Sequence, residues 1–399
     1  MTRRLAAAVA AMGVVAWLAG CSAGGGQQSA QFVGSEKCAG CHKDEYKSWQ
    51  GTWHAKMVRP ANQFMLKDAS DNWAKDAKGN AGPTKANISG AVVKKEDVVM
   101  VVGARWKQRY LVKNLANGGH QFLDKPWNTV HKQWEPYGQA NTWEGQCATC
   151  HVTGYKVVEV DEANRAVKKW DYAEKNVGCE SCHGPGSKHV ASEDARDIFN
   201  PKNASLAESS KVCGYCHIRV ENTNFKTPEG KPSEQLPHPV LGQSYRAGLD
   251  DWTQWYPDKV LLVGIQPEDP VSKNYPGTDL NNAFWLDEQF TKTGIADARK
   301  HHQQYQEHVQ SKHHGDKGAS CASCHMPHAV AGKKMVAAKD SCASCHKNEK
   351  FDLGQLMPGV AQTAQNLFVQ AHTFNPKQAR KGGPVVPAGA PEPVYVGGK

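Results

Sequence analysis

Cys179-Glu-Ser-Cys182-His183-Gly-Pro-Gly-Ser-Lys-His189 decides how the chain is read. Two thiols three positions apart, with a histidine directly after the second, have the spacing of a c-type haem attachment site. The thiols add to the porphyrin edge as thioethers, and the histidine is placed to bind the iron from one side. Gly184-Pro185-Gly186 turns the chain, and His189 lies just beyond, free to bind an iron from the other side. The pentapeptide occurs six times: Cys38–Cys41–His42, Cys147–Cys150–His151, Cys179–Cys182–His183, Cys213–Cys216–His217, Cys321–Cys324–His325 and Cys342–Cys345–His346. Zinc knuckles and redox dithiols carry no requirement for an immediate histidine, so its presence after all six pairs argues for haem.

The motifs use twelve of the 13 cysteines and leave Cys21 over. Leu, Ile, Val and Phe make up roughly a sixth of the chain, below the ~20% at which a sequence looks unable to fold alone. Six haems, each a large rigid hydrophobe, would supply the missing core, and the apoprotein is expected to be largely unstructured. The formal charge is +9. Loss of Arg3 and Arg4 with a leader takes away two, and six ferric haems at about −1 each bring the total near +1. The basic composition is then a counter-charge for propionates, and nucleic acid is not an expected partner.

Met1–Cys21 reads as a lipoprotein signal segment. Arg3-Arg4 is a positive start, Leu5 to Leu18 an apolar run too short to favour a spanning helix, and Leu18-Ala-Gly-Cys21 a lipobox. Cys21 is the expected lipidation site, with a leader over 1–20 and a flexible tether over 21–31. The protein is expected to be exported and anchored to a membrane facing the periplasm, at the outer membrane or the cell surface. A four-haem core is expected over 32–220, a cysteine-free connection over 221–295, a two-haem segment over 296–350, and an extended Pro/Gly-rich tail over 351–399. The expected fold is mostly irregular, with short α-helices and a small β-hairpin or meander, organised by six covalent haems. Val98–Val102 and Trp106–Val112 around Gly103 predict that sheet. Gly154–Val177 reads as a charged excursion. Tyr46 to His54 reads as a short helix presenting His54, and Ile295–His314 as a longer one carrying His301, His302, His308, His313 and His314.

Twelve of the 18 histidines lie outside the motifs, twice what six irons need. The expected distal ligands are His54, His189, His302, His313, His328 and His238, the last held rigidly between two prolines. His120 and His131 read equally well as ligands or as structural residues.

Lys37-Cys-Ala-Gly-Cys-His42 with Trp53-His54, Gly103-Ala-Arg-Trp-Lys-Gln-Arg-Tyr-Leu111, Cys147-Ala-Thr-Cys-His-Val-Thr-Gly154, Gly178-Cys-Glu-Ser-Cys-His-Gly-Pro-Gly186 and Val212-Cys-Gly-Tyr-Cys-His217 together resemble the cytochrome c-554-type multihaem cytochromes, over roughly 32–220. Ser311-Lys-His313 and Cys321-Ala-Ser-Cys-His-Met-Pro-His328 are similar to segments of the wider group that includes pentahaem nitrite reductases and octahaem hydroxylamine oxidoreductases. The resemblance implies electron transfer, His54 and His189 as distal ligands, and haems stacked in near-parallel and near-perpendicular pairs. The chain departs from the type member in having six motifs instead of four. It departs from the nitrite reductases in having no motif whose histidine is replaced by lysine.

Bis-histidine ligation closes an iron to substrate and suits electron transfer. The expected function is a lipid-tethered electron carrier between a quinol-oxidising membrane donor and a periplasmic or extracellular acceptor, with no catalytic residue assigned. The alternatives are an oxidoreductase with one open haem acting on a small nitrogen or sulfur compound, and a subunit of a larger haem conduit or filament.

Overall fold

The structure, a computed structural model, describes residues 30–84, 92–113, 118–137, 142–219, 222–228, 230, 232–233, 237–255, 284–329, 340–347, 349–364, 367–375, 383 and 393–398. The expected leader, Cys21 and most of the tether lie outside these residues. All 18 histidines and the twelve motif cysteines lie within them.

The β-branched and aromatic runs on either side of Gly103 do form strands, in a larger sheet than expected. β1 (Val58–Pro60), β2 (Val98–Val102), β3 (Lys107–Lys113), β4 (His120–Phe122), β5 (Trp127–Asn128) and β6 (Gln133–Trp134) are all antiparallel. Their order is β1-β2-β3-β5-β6, and β4 pairs with the other end of β3. Gly103 turns the chain between β2 and β3 at φ 73°, where a Cβ would stand 2.9 Å from the Lys107 carbonyl oxygen.

One face of this sheet buries a conventional side-chain core. Trp73 meets Tyr110 at 5.0 Å and Trp134 at 5.3 Å, and Trp127 meets Trp134 at 5.0 Å, all edge-on. The indole N–H groups of Trp73 and Trp134 donate to the Val93 and Asn72 carbonyls. Tyr395 closes the cluster from the C-terminal tail; its hydroxyl accepts from Arg59 at 2.9 Å. The low aliphatic content therefore misleads for this part of the chain, where tryptophan and tyrosine carry the burial. In the described residues of the tail, Gly359–Ala364 pairs with Leu367–Gln370, and Tyr395 is buried.

Asp76 ties the loop beneath this core. Its carboxylate accepts the Trp134, Lys78 and Asn80 backbone N–H groups and the Asn80 side-chain amide, at 2.8–2.9 Å. Burial alone would raise its pKa, but these donors outweigh burial and hold it below the ordinary carboxylate value. Asp76→Ala should cost roughly 3 kcal/mol, since it strands the buried Trp134 N–H, read as a lowered melting temperature. The contribution is present above the unfolded carboxylate pKa and is lost as pH falls through the lower folded value.

The rest of the described chain is short helices and two-stranded ribbons. Gly154–Val177 contains a hairpin, Lys156–Val160 against Val167–Asp171, rather than a plain excursion. The helix expected to present His54 is Lys43–Gln50; it stops before Gly51, and His54 follows in a turn. Within Ile295–His314 only Gln304–His308 is helical, because His302 takes a left-handed φ of 56° just ahead of it. Among the described residues no helix is long and apolar enough to cross a membrane.

Candidate haem-binding site

The six motifs share one local geometry. In five of them the histidine N–H closes a helical turn onto the first cysteine carbonyl, at 2.9 Å for His42, 3.2 Å for His151, 3.0 Å for His217, 2.8 Å for His325 and 2.9 Å for His346. In the sixth, Cys179–His183 is itself a helix. One turn puts residues i, i+3 and i+4 on one face, so both thiols and the imidazole point the same way. All twelve cysteines are free of disulfides.

That way is into a single connected cavity of about 3710 Å³, lined by all twelve cysteines and all six motif histidines. The motifs also touch one another. The thiols of Cys38 and Cys179, of Cys213 and Cys321, and of Cys216 and Cys150 lie close enough to influence one another's ionisation. Cys182 and Cys216, and Cys324 and Cys342, lie within electrostatic range. The fourth motif thus adjoins the second, third and fifth.

Five motif histidines each face one other histidine. His42 lies 6.1 Å from His189, His217 6.3 Å from His54, His183 6.3 Å from His328, His346 6.2 Å from His313, and His325 6.0 Å from His372, measured between ring centres. Two imidazoles on opposite sides of one metal, each about 2 Å from it, have ring centres roughly 6 Å apart. The planes are inclined at 27°, 34° and 30° in the His42, His183 and His325 pairs, and at 79° and 81° in the His217 and His346 pairs.

Protonation suits ligation. His183 and His189 place Nδ1 at 2.9 Å from the Phe199 and Asp194 carbonyls, and His328 and His372 reach Ala329 and Gln370 at 2.8 and 3.0 Å. His217 meets the Gln304 side-chain oxygen at 3.1 Å. Only an Nδ1–H satisfies such acceptors, so the lone pair stands on Nε2. Burial pushes the pKa of His54 and His151 down to about 4 and that of His372 to about 3, keeping these rings neutral.

His54, His189, His313 and His328 are therefore brought to motif histidines, and His238 is not. His238 packs on Trp255 at 4.7 Å, and its Nδ1 accepts the Val240 N–H, which leaves the proton on Nε2. His120 pairs with Glu144 at 2.7 Å and His131 with Asn128 at 3.2 Å. His372 went unassigned in the sequence. Its signal was Phe368-Val-Gln-Ala-His372, a strand running straight into a histidine.

The second motif differs. The His151 ring packs on Trp143 at 5.8 Å, and among the described residues no imidazole stands 6.0–6.3 Å from it. His301 and His302, edge-on to each other at 4.5 Å, lie within electrostatic range of His151. His302 Nε2 is buried without a partner. Lys107 and Arg109 line the cavity here, 4.5 and 4.4 Å over the Tyr137 ring, and Lys107 is close enough to act on His301.

The donor set fits haem: paired thiols beside a neutral imidazole, facing a cavity far larger than a side-chain core leaves. The family model described as cytochrome c554 and c-prime matches residues 37–100 and 121–184, about a third of the chain. Two solved structures are similar. The outer cell wall cytochrome OcwA is 24% identical with a TM-score of 0.49, over 80% of this chain and 62% of that one. The undecahaem cytochrome from the S-layer of Carboxydothermus ferrireducens is 19% identical with a TM-score of 0.39, over 82% of this chain and 44% of that one. The chain thus spans less than two thirds of either.

Proposed function

We propose that this multihaem c-type cytochrome holds six covalent haems, one at each motif, and passes electrons between redox proteins outside the cytoplasm. The observation that carries the reading is the set of five imidazole pairs 6.0–6.3 Å apart, each joining one motif histidine to one from elsewhere. The haem on Cys38 and Cys41 takes His42 and His189. That on Cys179 and Cys182 takes His183 and His328, and that on Cys213 and Cys216 takes His217 and His54. Cys321 and Cys324 go with His325 and His372, and Cys342 and Cys345 with His346 and His313. For the haem on Cys147 and Cys150, His151 is the proximal ligand and His302 the distal one, supported by its strained backbone and partnerless Nε2. Bound haem supplies one-electron chemistry. The paired histidines would close the irons on both sides, and the Nδ1 partners of His183, His189, His217, His328 and His372 would fix those ring planes.

Leu18-Ala-Gly-Cys21 supports lipidation and a tethered, exported protein. A membrane donor that oxidises quinol and a periplasmic or extracellular acceptor fit that placement.

A second reading is favoured by one observation: His151 has no imidazole at the common span. An open haem there, facing His301, His302, Lys107 and Tyr137, would make the protein an oxidoreductase for a small nitrogen or sulfur compound. Intact mass and electron paramagnetic resonance separate the readings. Six haem increments with three low-spin signals of near-parallel imidazoles, two of near-perpendicular ones and a sixth low-spin signal support the carrier. A high-spin ferric signal that binds carbon monoxide on reduction, with turnover of nitrite or hydroxylamine, supports the enzyme. Fewer than six increments overturns the haem count.

A further inference from the structure

We infer that Glu180, inside the third motif, is the positioning residue for the haem held at the first. This rests on the reading that His42 and His189 share one iron. The residues between the two cysteines of such a motif have no part in attachment, and a glutamate there is expected on the surface. Glu180 is instead 1% exposed. Its Oε1 accepts the Val33 N–H at 2.9 Å and the Gly186 N–H at 2.7 Å; its Oε2 accepts the Gly34 N–H at 2.8 Å and lies 3.0 Å from the Val33 nitrogen.

The three donors belong to the two stretches that carry the first haem's ligands. Val33-Gly34 leads directly into the helix Ser35–Cys38, from which Cys41 and His42 follow. Gly186 caps the helix Ser187–Ser192, which bears His189. One carboxylate therefore sets both sides of the His42–His189 pair. Neighbouring bonds brace the same junction. Gln31 and Ser187 exchange two hydrogen bonds, at 2.8 and 3.1 Å. Glu174 accepts the Ser35 N–H at 2.8 Å and hydroxyl at 2.9 Å, and the Ser35 oxygen accepts the Cys179 N–H at 2.9 Å. Glycine at 186 lets the backbone come this close: a Cβ there would stand 3.3 Å from Glu180 Oε1. Charged acceptors make the stronger bonds to backbone N–H groups, and in this junction Glu180 is the acceptor that touches both stretches.

Glu180→Ala tests this against His189→Ala and the double variant, each counted by mass for haem and read by paramagnetic resonance and carbon monoxide binding. Glu180→Ala is expected to turn one haem high-spin, remove one of the three near-parallel low-spin signals, and leave both near-perpendicular signals unchanged. The double variant should match His189→Ala, because the two changes act on one site. A full low-spin complement in Glu180→Ala, or additive loss of a second haem's signal in the double variant, overturns the inference. Unchanged spectra in His189→Ala overturn the ligand reading beneath it, which is a separate result. If Glu180→Ala yields no holoprotein, Glu180→Gln decides. Its amide group faces N–H donors in place of one acceptor oxygen, so a carbon monoxide-reactive fraction should appear, and none overturns the inference.

Discussion

Made in cells that cannot attach haem, the chain should lose its cooperative melt and be digested along 35–56, 142–219 and 301–374, while the sheet body keeps part of its near-ultraviolet tryptophan signal. The reason is the size of the cavity. Left unfilled, a volume of about 3710 Å³ leaves the side chains that line it without packing partners. The segments that line the cavity have helices of four to nine residues and cannot hold themselves up without it. The sheet body is different, because Trp73, Trp127, Trp134 and Tyr110 pack on one another away from the motifs. Limited proteolysis and circular dichroism of the haem-free chain check this. A haem-free chain that melts as one cooperative unit at the holoprotein's temperature would sink it.

The motifs were legible in the sequence because covalent attachment fixes a local spacing, and local spacing survives any fold. The partners of the motif histidines were only half legible. His189 and His328 stand a few residues past a motif and were picked on that ground. Each, however, faces a different motif: His189 faces His42 and His328 faces His183. His54, just past the first motif, faces His217 of the fourth. The fifth and sixth motif histidines both find their partners within 313–372, whereas His183 reaches across to His328, so we take the expected four-haem core and two-haem segment to be joined through that pair. His238 looked suitable because prolines hold it; the Val240 N–H bond, invisible in the sequence, puts its proton on the wrong nitrogen. His372 was passed over because it follows a hairpin, Gly359–Ala364 against Leu367–Gln370, in a tail that composition marks as extended. The helix drawn through His301 and His302 failed on one left-handed residue, a conformation uncommon outside glycine and one that helical periodicity does not signal.

Of the distal-histidine variants, His54→Ala is expected to slow electron passage most. Its partner His217 belongs to the fourth motif, whose cysteines meet those of the second, third and fifth. The substitution should spare the fold. The His54 carbonyl accepts the Val177 N–H, the Trp49 indole donates to the Val177 carbonyl at 2.9 Å, and Asn176 accepts the Val58 N–H at 2.6 Å; all are independent of the imidazole. His217 also keeps its bond to Gln304. What is lost is one neutral donor to one iron. That iron should turn high-spin, bind carbon monoxide and rise in potential, because the stronger donor set favours the ferric state. A raised potential at a junction holds electrons there, so transfer between a reductant and an oxidant supplied in solution should fall on every route through it. His313→Ala supplies the contrast. It opens the sixth motif's iron, whose Cys342 lies within electrostatic range of the fifth motif's Cys324. Stopped-flow reduction and reoxidation of both variants, with redox titration, give the comparison. Equal rates in the two variants, or a His54→Ala protein with an unchanged low-spin spectrum, would remove the fourth motif from the centre of the path.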